Sequence, residues 1–267
     1  MNEDINKEFT HLKIHTQYSI CEGALRTADL AKYCKTNKIK AVGLCDSYNL
    51  CGALEFSETI AKSKTQPIIG TQINIKYKEN FGKIPFFAKT LQGYKNLIKL
   101  SSMSYLEIKN NEEPHCNFED IEKNSKGLIL FSGSIEGLIG KLFSKNLTDE
   151  IFIIFERLKK KLNEDFYLEI QRHDDDGEKL FENFLINSSK KLHIPIIATN
   201  EVFYLDKDMH EAHDAYLCVG EKTYVNVKER RKYTNEHYLK TSEEMCRLFS
   251  DLPEALENNF NFPFRIS

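Results

Sequence analysis

Short apolar runs alternate with longer amphipathic segments along most of this 267-residue chain, and this order limits the fold more than any other feature. The predicted strands are residues 10–14, 40–45, 67–75, 84–88, 127–131, 166–171 and 194–199. The predicted helices are residues 28–36, with Thr27 as N-cap, 53–64, 93–108, 149–162 and 178–192. Their spacing suits right-handed crossovers between parallel strands.

Runs such as GLILF and IPIIA are apolar on both faces, as in a parallel sheet or barrel. We therefore predict an α/β fold, an irregular seven-stranded (β/α) barrel, with an open doubly wound sheet as the alternative. The chain contains neither G-x-G-x-x-G nor G-x-x-x-x-G-K-[ST], which argues against a nucleotide-binding sheet. Polar connections and short helices, 242–249 and 253–258, follow residue 220. Residues 1–220 are thus the predicted barrel and 221–267 a short, mostly helical C-terminal extension.

Composition excludes several classes of protein. The net charge of -3 gives no overall electrostatic footprint for nucleic acid, and the basic runs at 157–161 and 228–232 are interpreted as solvated faces. Seven cysteines without a C-x-x-C pair indicate reduced thiols. The acidic start MNEDINKEF is not a signal peptide, and no apolar run reaches the roughly 18 residues of a membrane span. We expect a cytoplasmic protein without membrane contact.

The segment FTHLKIHTQYS, residues 9–19, contains the first candidate site. Strand periodicity places His11, Lys13 and His15 on one face and Leu12 and Ile14 on the other. Two imidazoles at this spacing can reach one metal ion, but the Lys13 ammonium has no lone pair to offer. Taken alone, these residues favour ordinary barrel-end histidines.

Polar residues also end several of the predicted strands. His15, Asp46, His173 and Glu201 each follow an apolar run. In (β/α) barrels the carboxyl ends of the strands carry the functional residues. Four residues of metal-ligand types at such ends favour a functional ancestry for the site.

The motif HLKIHT resembles the first motif, H-x-H-x-H followed by T or S, of the PHP (polymerase and histidinol phosphatase) family. Further segments resemble the N-terminal PHP domain of bacterial DNA polymerase III alpha subunits: LCDSYNLCGALEF, PIIGTQINI, FAKTLQGYKNLIKLSS, GLILFSGSIEGLIGKLF, IIATNEVFYLDKDMHEAHDAYLC and YLKTSEEMCRLFSDLPEALENN. The resemblance extends from about residue 9 to residue 259 and implies a PHP-type barrel. It also implies that residues 260–267 lead toward a polymerase palm.

The resemblance assigns metal-site positions one by one. Where the family has ligands, this chain retains His11, His15, Asp46 and His173, and it has Glu201 in place of Asp. The other positions carry Lys13, Ser47, Gln72, Ser134 and Phe203, with Lys83 placed by a looser alignment. We interpret the site as vestigial, with no catalytic residue and no metal expected. Residual Zn or Mn on His11, His15, Asp46, His173 and Glu201 is the less favoured alternative. We expect Lys13 to pair with Asp46 or Glu201 and so replace the charge of the ion.

By resemblance, such a domain supports a DNA-directed DNA polymerase, a nucleotidyltransferase, in DNA replication and docks the 3′-5′ proofreading exonuclease subunit. Other replicase subunits are further expected partners, with DNA contacted only through the parent polymerase. The palm motif P-D-x-D-x-D is missing, and HDDD at 173–176 is interpreted as a polar loop. One alternative is an active metal-dependent phosphoesterase or proofreading exonuclease. Another is a barrel that binds a small phosphorylated metabolite.

Overall fold

The computed structural model describes residues 8–109 and 112–267. Most of the acidic start, interpreted above as no signal peptide, lies in residues 1–7, outside the described residues. Within the described ranges, no helix has both the length and the apolar character needed to cross a membrane.

The strands are β1 Lys13–Ile14, β2 Ala41–Ser47, β3 Gln66–Tyr77, β4 Asn80–Ala88, β5 Cys116–Asn117, β6 Leu128–Phe131, β7 Phe166–Ile170, β8 Ile196–Ala198 and β9 Glu201–Val202. The helices are α1 Thr27–Asn37, α2 Ala53–Lys62, α3 Leu91–Leu106, α4 Phe118–Asn124, α5 Leu138–Ser144, α6 Thr148–Leu162, α7 Glu178–Leu192, α8 His210–Glu221, α9 Ser242–Leu248 and α10 Pro253–Asn261. Single 3-10 turns occur at Asn163–Asp165, Lys207–Met209 and Phe262–Arg265.

The strands form one sheet in the order β8-β7-β6-β4-β3-β2-β1-β9, with β5 added beside β3. β8 pairs with β7 and β9 pairs with β1, although only residues 199 and 200 separate β8 from β9 along the chain. The segment 196–202 therefore reaches both ends of the sheet and closes it into a ring. If β8 and β9 are counted as one interrupted strand and β5 is left out, the ring has seven strands within the described parts of the chain. The predicted irregular barrel is confirmed.

β4 departs from the parallel order of the other barrel strands. It is antiparallel to both of its neighbours, β3 and β6. Only Lys78 and Glu79 connect β3 to β4. A link of two residues permits a hairpin but is far too short for a parallel crossover, which needs about a dozen residues.

Some predicted helix boundaries hold and others do not. α7 has the predicted bounds, and α6 begins one residue earlier than predicted. The assignment of Thr27 as an N-cap is wrong, because Thr27 is the first residue of α1. Its backbone N–H donates to Gln17 Oε1 at 2.9 Å, so another part of the chain supplies the acceptor. α4, α5 and α8 were not predicted. α4 and α5 have only seven residues each, which is too short to show clear periodicity.

The C-terminal extension supplies part of the barrel core. Phe262, which follows α10, is fully buried in a cluster that includes Leu12, Phe87, Phe131 and Tyr167. This cluster fills the barrel interior away from the polar strand ends. The division of the chain at residue 220 remains a prediction, but residues 221–267 pack into the barrel that it would separate from them.

Candidate functional site

A fully buried ammonium group lies at the centre of the candidate site. Lys13, in β1, places Nζ 3.4 Å from Glu169 Oε1 and 3.3 Å from Glu201 Oε1. Lys13 and Glu201 are also direct partners in the register of β1 and β9. The prediction of a Lys13 pair with Glu201 is therefore correct. The second partner of Lys13 is Glu169 from β7 and not Asp46, which was the other predicted partner.

The charges of this cluster depend on one another. Burial opposes the charge on Lys13, yet the carboxylates of Glu169 and Glu201 raise its pKa above the ordinary lysine value. Burial also opposes ionisation of Glu201, but Lys13 and His15 hold its pKa well below the usual range. For Glu169, burial outweighs Lys13 and raises the pKa. One ammonium thus holds one carboxylate firmly ionised, because two buried carboxylates sharing one cation repel each other.

The Glu201 carboxylate meets its protein donors through one oxygen. Its Oε1 lies 3.1 Å from His15 Nε2 and accepts from Gln72 Nε2 at 3.0 Å, in addition to its contact with Lys13. The Phe203 ring stacks on His15 with ring centroids 4.6 Å apart. A phenyl ring therefore covers the imidazole at a position where a ligand would be needed for metal binding.

Asp46 is occupied in the same way at the end of β2. Its Oδ1 accepts from the Thr16 backbone N–H at 2.7 Å and from Ser19 Oγ at 2.6 Å. Its Oδ2 accepts from Thr16 Oγ1 at 2.8 Å. Asp46 thus fixes the turn after β1, and both of its oxygens are used by that turn.

The residues present do not fit the metal cluster implied by the resemblance. Oε1 of Glu201 and both oxygens of Asp46 already hold protein donors, and the Lys13 ammonium lies among the expected ligands. A divalent ion there would meet a fixed positive charge and would have to displace several buried hydrogen bonds.

The predicted common face of His11, Lys13 and His15 is wrong for His11. Its Nε2 lies 2.7 Å from the Lys240 carbonyl oxygen, away from the Glu201 cluster. Leu12 instead points into the barrel core, while Ile14 packs outside it in another cluster. The ladder of β1 includes only Lys13–Ile14, so strand alternation does not extend back to His11.

A second buried pair lies beside the first. Lys83 Nζ is 2.6 Å from Glu22 Oε1 and 3.1 Å from Ser47 Oγ, and Ser47 also donates to Glu22. Burial opposes the charge on Glu22, but Lys83 lowers the pKa of this carboxyl to about 2. Lys83 thus lies in the site, as its loose alignment suggested, and has a carboxylate partner that was not predicted.

Glu22→Gln should make the free energy of unfolding less dependent on pH in acid. A carboxyl whose folded pKa lies below its unfolded value near 4.5 stabilises the fold above that value, and this contribution is lost as pH falls toward about 2. Denaturant titrations from pH 6 to pH 3 should therefore show the difference between native protein and variant shrinking as pH falls. Glu58→Gln, at an exposed position, is the control. A difference that stays constant over this range would contradict the assignment.

A cleft of about 760 Å³ opens above these two pairs and mixes charges of both signs. Its lining includes Glu22, Gln72, Lys83, Ser134, Lys141, Asp174, Asp175, Asp176, Glu201, Arg230, Arg231, Lys232 and His237. The structure thus brings Ser134 to the same cleft as Gln72 and Glu201.

His173 lies beside the same cluster. Its Nε2 lies 3.1 Å from the Glu201 backbone N–H, and its ring stacks on that of His237 with centroids 4.1 Å apart.

The sequence interpretation missed Glu22, Glu169, Asp175 and His237. Only Glu169 had a usable signal, as the one charge within the buried strand FYLEI. The others come from loops, and His237 comes from the predicted extension.

Comparison with known proteins gives a match to the PHP domain family over residues 11–173, more than half of the chain. A DNA polymerase III subunit alpha from Rickettsia prowazekii is 38% identical over 255 residues, covering 95% of this chain and 22% of that protein. The Caulobacter vibrioides subunit of the same name is 34% identical over 273 residues, covering 99% of this chain and 24% of that protein. The chain thus spans about a fifth to a quarter of the length of these relatives.

Solved structures also resemble the chain. A two-domain protein from Bacteroides vulgatus, described as containing a predicted PHP-like metal-dependent phosphoesterase, has a TM-score of 0.47 at 12% identity, covering 89% of this chain and 62% of that one. An amidohydrolase from Chromobacterium violaceum has a TM-score of 0.46 at 6% identity, covering 73% of this chain and 87% of that one. On the sequence match over residues 11–173, this chain belongs to the PHP domain family.

Proposed function

We propose that this chain is the PHP domain of a DNA polymerase III alpha subunit and works in DNA replication as a scaffold, without hydrolysing phosphoesters itself. The similarity to subunits of that name over 95% or more of the chain supports this assignment. The relatives continue for several times the length of this chain, and polymerisation would belong to that remainder. DNA would be contacted only there, and the assembly would work in the cytoplasm.

The buried Lys13 carries the proposal that the site is inactive. Phosphoester hydrolysis in a metal-dependent barrel needs ions that activate water and stabilise negative charge on the phosphoryl group. Here an ammonium and the side-chain donors of His15 and Gln72 meet at Oε1 of Glu201, so the ammonium stands where such an ion would have to bind. The Lys13 ammonium compensates the buried carboxylate charge in a barrel that keeps its fold. This compensation supports a structural role for the site.

The proposed partner is the proofreading 3′-5′ exonuclease subunit, with other replicase subunits held by the remainder of the alpha subunit. This barrel keeps its architecture although other residues fill its ligand positions. Its outer surface is therefore the feature that a scaffold would use. The family resemblance suggests exonuclease docking as the use of that surface.

The test is complex formation with the exonuclease subunit of the same organism. The chain should co-migrate with that subunit at tens of micromolar, because a weak or partial interface is detectable only at such concentrations. The chain alone should show neither nucleotide incorporation nor exonuclease activity. Lys13→His should leave it inactive, since Ser47, Gln72 and Phe203 remain in place.

The opposite result would favour the active phosphoesterase or exonuclease. It would consist of metal-dependent exonuclease activity from the chain alone that is lost in both His15→Ala and Asp46→Ala. Failure to co-migrate at tens of micromolar would remove the exonuclease as the proposed partner.

A further inference from the structure

The outward face of α3 carries an apolar stripe that the described part of the chain leaves open to solvent. Leu91, Ile98 and Tyr105 are spaced seven residues apart, so they lie on one side of this helix. They are 68%, 43% and 49% exposed. The other side of the helix holds Leu97 and Leu100, which are buried in the main hydrophobic core. A helix on the surface of a barrel needs only one apolar face, so the stripe is surplus apolar surface.

Lysines flank this stripe. Lys95 lies between Leu91 and Ile98 on the same side of the helix, and Lys99 lies one turn after Lys95. Both lysines are exposed, and α3 contains no Asp or Glu that could neutralise them. A surface that covers the stripe would therefore combine apolar side chains with carboxylates.

The last residue of the chain lies at the beginning of α3. The Ser267 backbone N–H donates to the Lys89 carbonyl oxygen at 2.9 Å, and the Ser267 hydroxyl donates to the same oxygen at 3.2 Å. Asp165 supports this arrangement, because its Oδ1 accepts from Arg265 at 2.6 Å and from Lys89 at 2.8 Å. Lys89 is only two residues before Leu91, where the stripe begins. Residues that follow Ser267 in a longer subunit would thus start beside the stripe.

The length of the relatives makes such a continuation the favoured occupant. The chain spans about a fifth to a quarter of their length, and the resemblance places it at their N-terminus, so most of the subunit would follow residue 267. A segment tethered beside its binding surface has an effective concentration of about millimolar. A small apolar surface can therefore hold it, whereas a separate partner would need a larger interface.

We propose that, in the full-length alpha subunit, the region that follows residue 267 packs on the outward face of α3. Its apolar side chains cover Leu91, Ile98 and Tyr105. Its carboxylates lie beside Lys95 and Lys99. The inference rests on the proposed function, because it requires that the chain be part of that subunit. The stripe is about 21 Å long, which a helix of about 14 residues would cover.

Cysteine labelling of the full-length subunit tests this interface. Ile98→Cys and Ile153→Cys are a matched pair, because the two isoleucines are 43% and 46% exposed and lie on different helices, α3 and α6. Each variant is made in the 267-residue chain and in the full-length subunit, and its alkylation by a maleimide is followed peptide by peptide by mass spectrometry. The rate at position 98 should fall tenfold or more in the full-length subunit, while the rate at position 153 should change less than twofold.

A second pair of variants measures the contribution of the stripe to docking. Leu91 and Leu180 are both 68% exposed, and each lies in the first turn of its helix. Leu91→Ser should speed the proteolytic separation of residues 1–267 from the rest of the subunit at least threefold, because docking protects the connection. Leu180→Ser should leave that rate unchanged. Neither variant should change the urea midpoint of the 267-residue chain by much, since both side chains are exposed there.

Several results would overturn the proposal. One is an alkylation rate at position 98 that is equal in the two proteins, or that falls equally at position 153. Protection of position 98 in the 267-residue chain that disappears on dilution would show that a second copy covers the stripe. Protection that appears only after the exonuclease subunit is added would assign the stripe to that partner and leave the proposed function intact. Failure of the proposed function is seen separately, as a failure of the chain to co-migrate with the exonuclease subunit.

Discussion

Lys13→Met should destabilise the protein by about 3–5 kcal/mol, since it removes one partner from a buried ion pair. The Lys13 side chain is fully buried, and its ammonium serves both Glu169 and Glu201. Methionine fills a similar volume but leaves the ionised Glu201 with only the donors of His15 and Gln72. Urea denaturation at pH 7 measures the loss directly, as a lower midpoint with an unchanged slope.

Controls separate this effect from a general sensitivity to lysine substitution. Lys78→Met removes an exposed pair with Glu150 and should change the midpoint little. In a double-mutant cycle, adding Glu201→Gln to Lys13→Met should cost much less than Glu201→Gln costs alone, because the stranded charge is already unfavourable. A midpoint for Lys13→Met equal to that of the native protein would show that this ammonium does not compensate buried carboxylates.

The sequence could predict the barrel because several strands, such as GLILF and IPIIA, are apolar on both faces and because α6 and α7 have clear periodicity. Local pattern also placed His15 and Glu201 at strand ends and Lys13 on the same strand face as His15, and these three residues do meet. The placement of His11 failed because alternation holds only where a ladder fixes the backbone, and β1 has two residues. The reversal of β4 could not be predicted from strands placed at residues 67–75 and 84–88, because that gap hides the two-residue link Lys78–Glu79 that makes the pair a hairpin.

The missing parts of the site depend on contacts between distant segments. Glu22 lies in a loop after β1, and only the folded chain places it beside Lys83. His237 comes from residues that were assigned to a separate extension. No local pattern connects such residues, since tertiary packing alone decides which loops meet at the mouth of a barrel.

Phe262→Ala should cost about 3–5 kcal/mol, the usual loss when a fully buried phenylalanine is truncated and leaves a cavity. Its ring contacts Phe131 and Phe87 inside the barrel, with centroids 5.5 and 5.6 Å away. The surrounding rings come from rigid strands, so collapse around the cavity would recover little of this energy. Urea denaturation should give one cooperative transition with a clearly lower midpoint.

Phe264→Ala is a matched control two residues further on, because the Phe264 side chain is 85% exposed. It removes the same atoms from the same short turn and should change the free energy of unfolding by no more than about 0.5 kcal/mol. A large difference between the two variants would mean that the C-terminal extension and the barrel unfold as one unit. Phe262 belongs to the extension, whereas the cavity left by its truncation lies in the barrel. Equal midpoints for both variants would instead place Phe262 outside the barrel and support an extension that is independent of it.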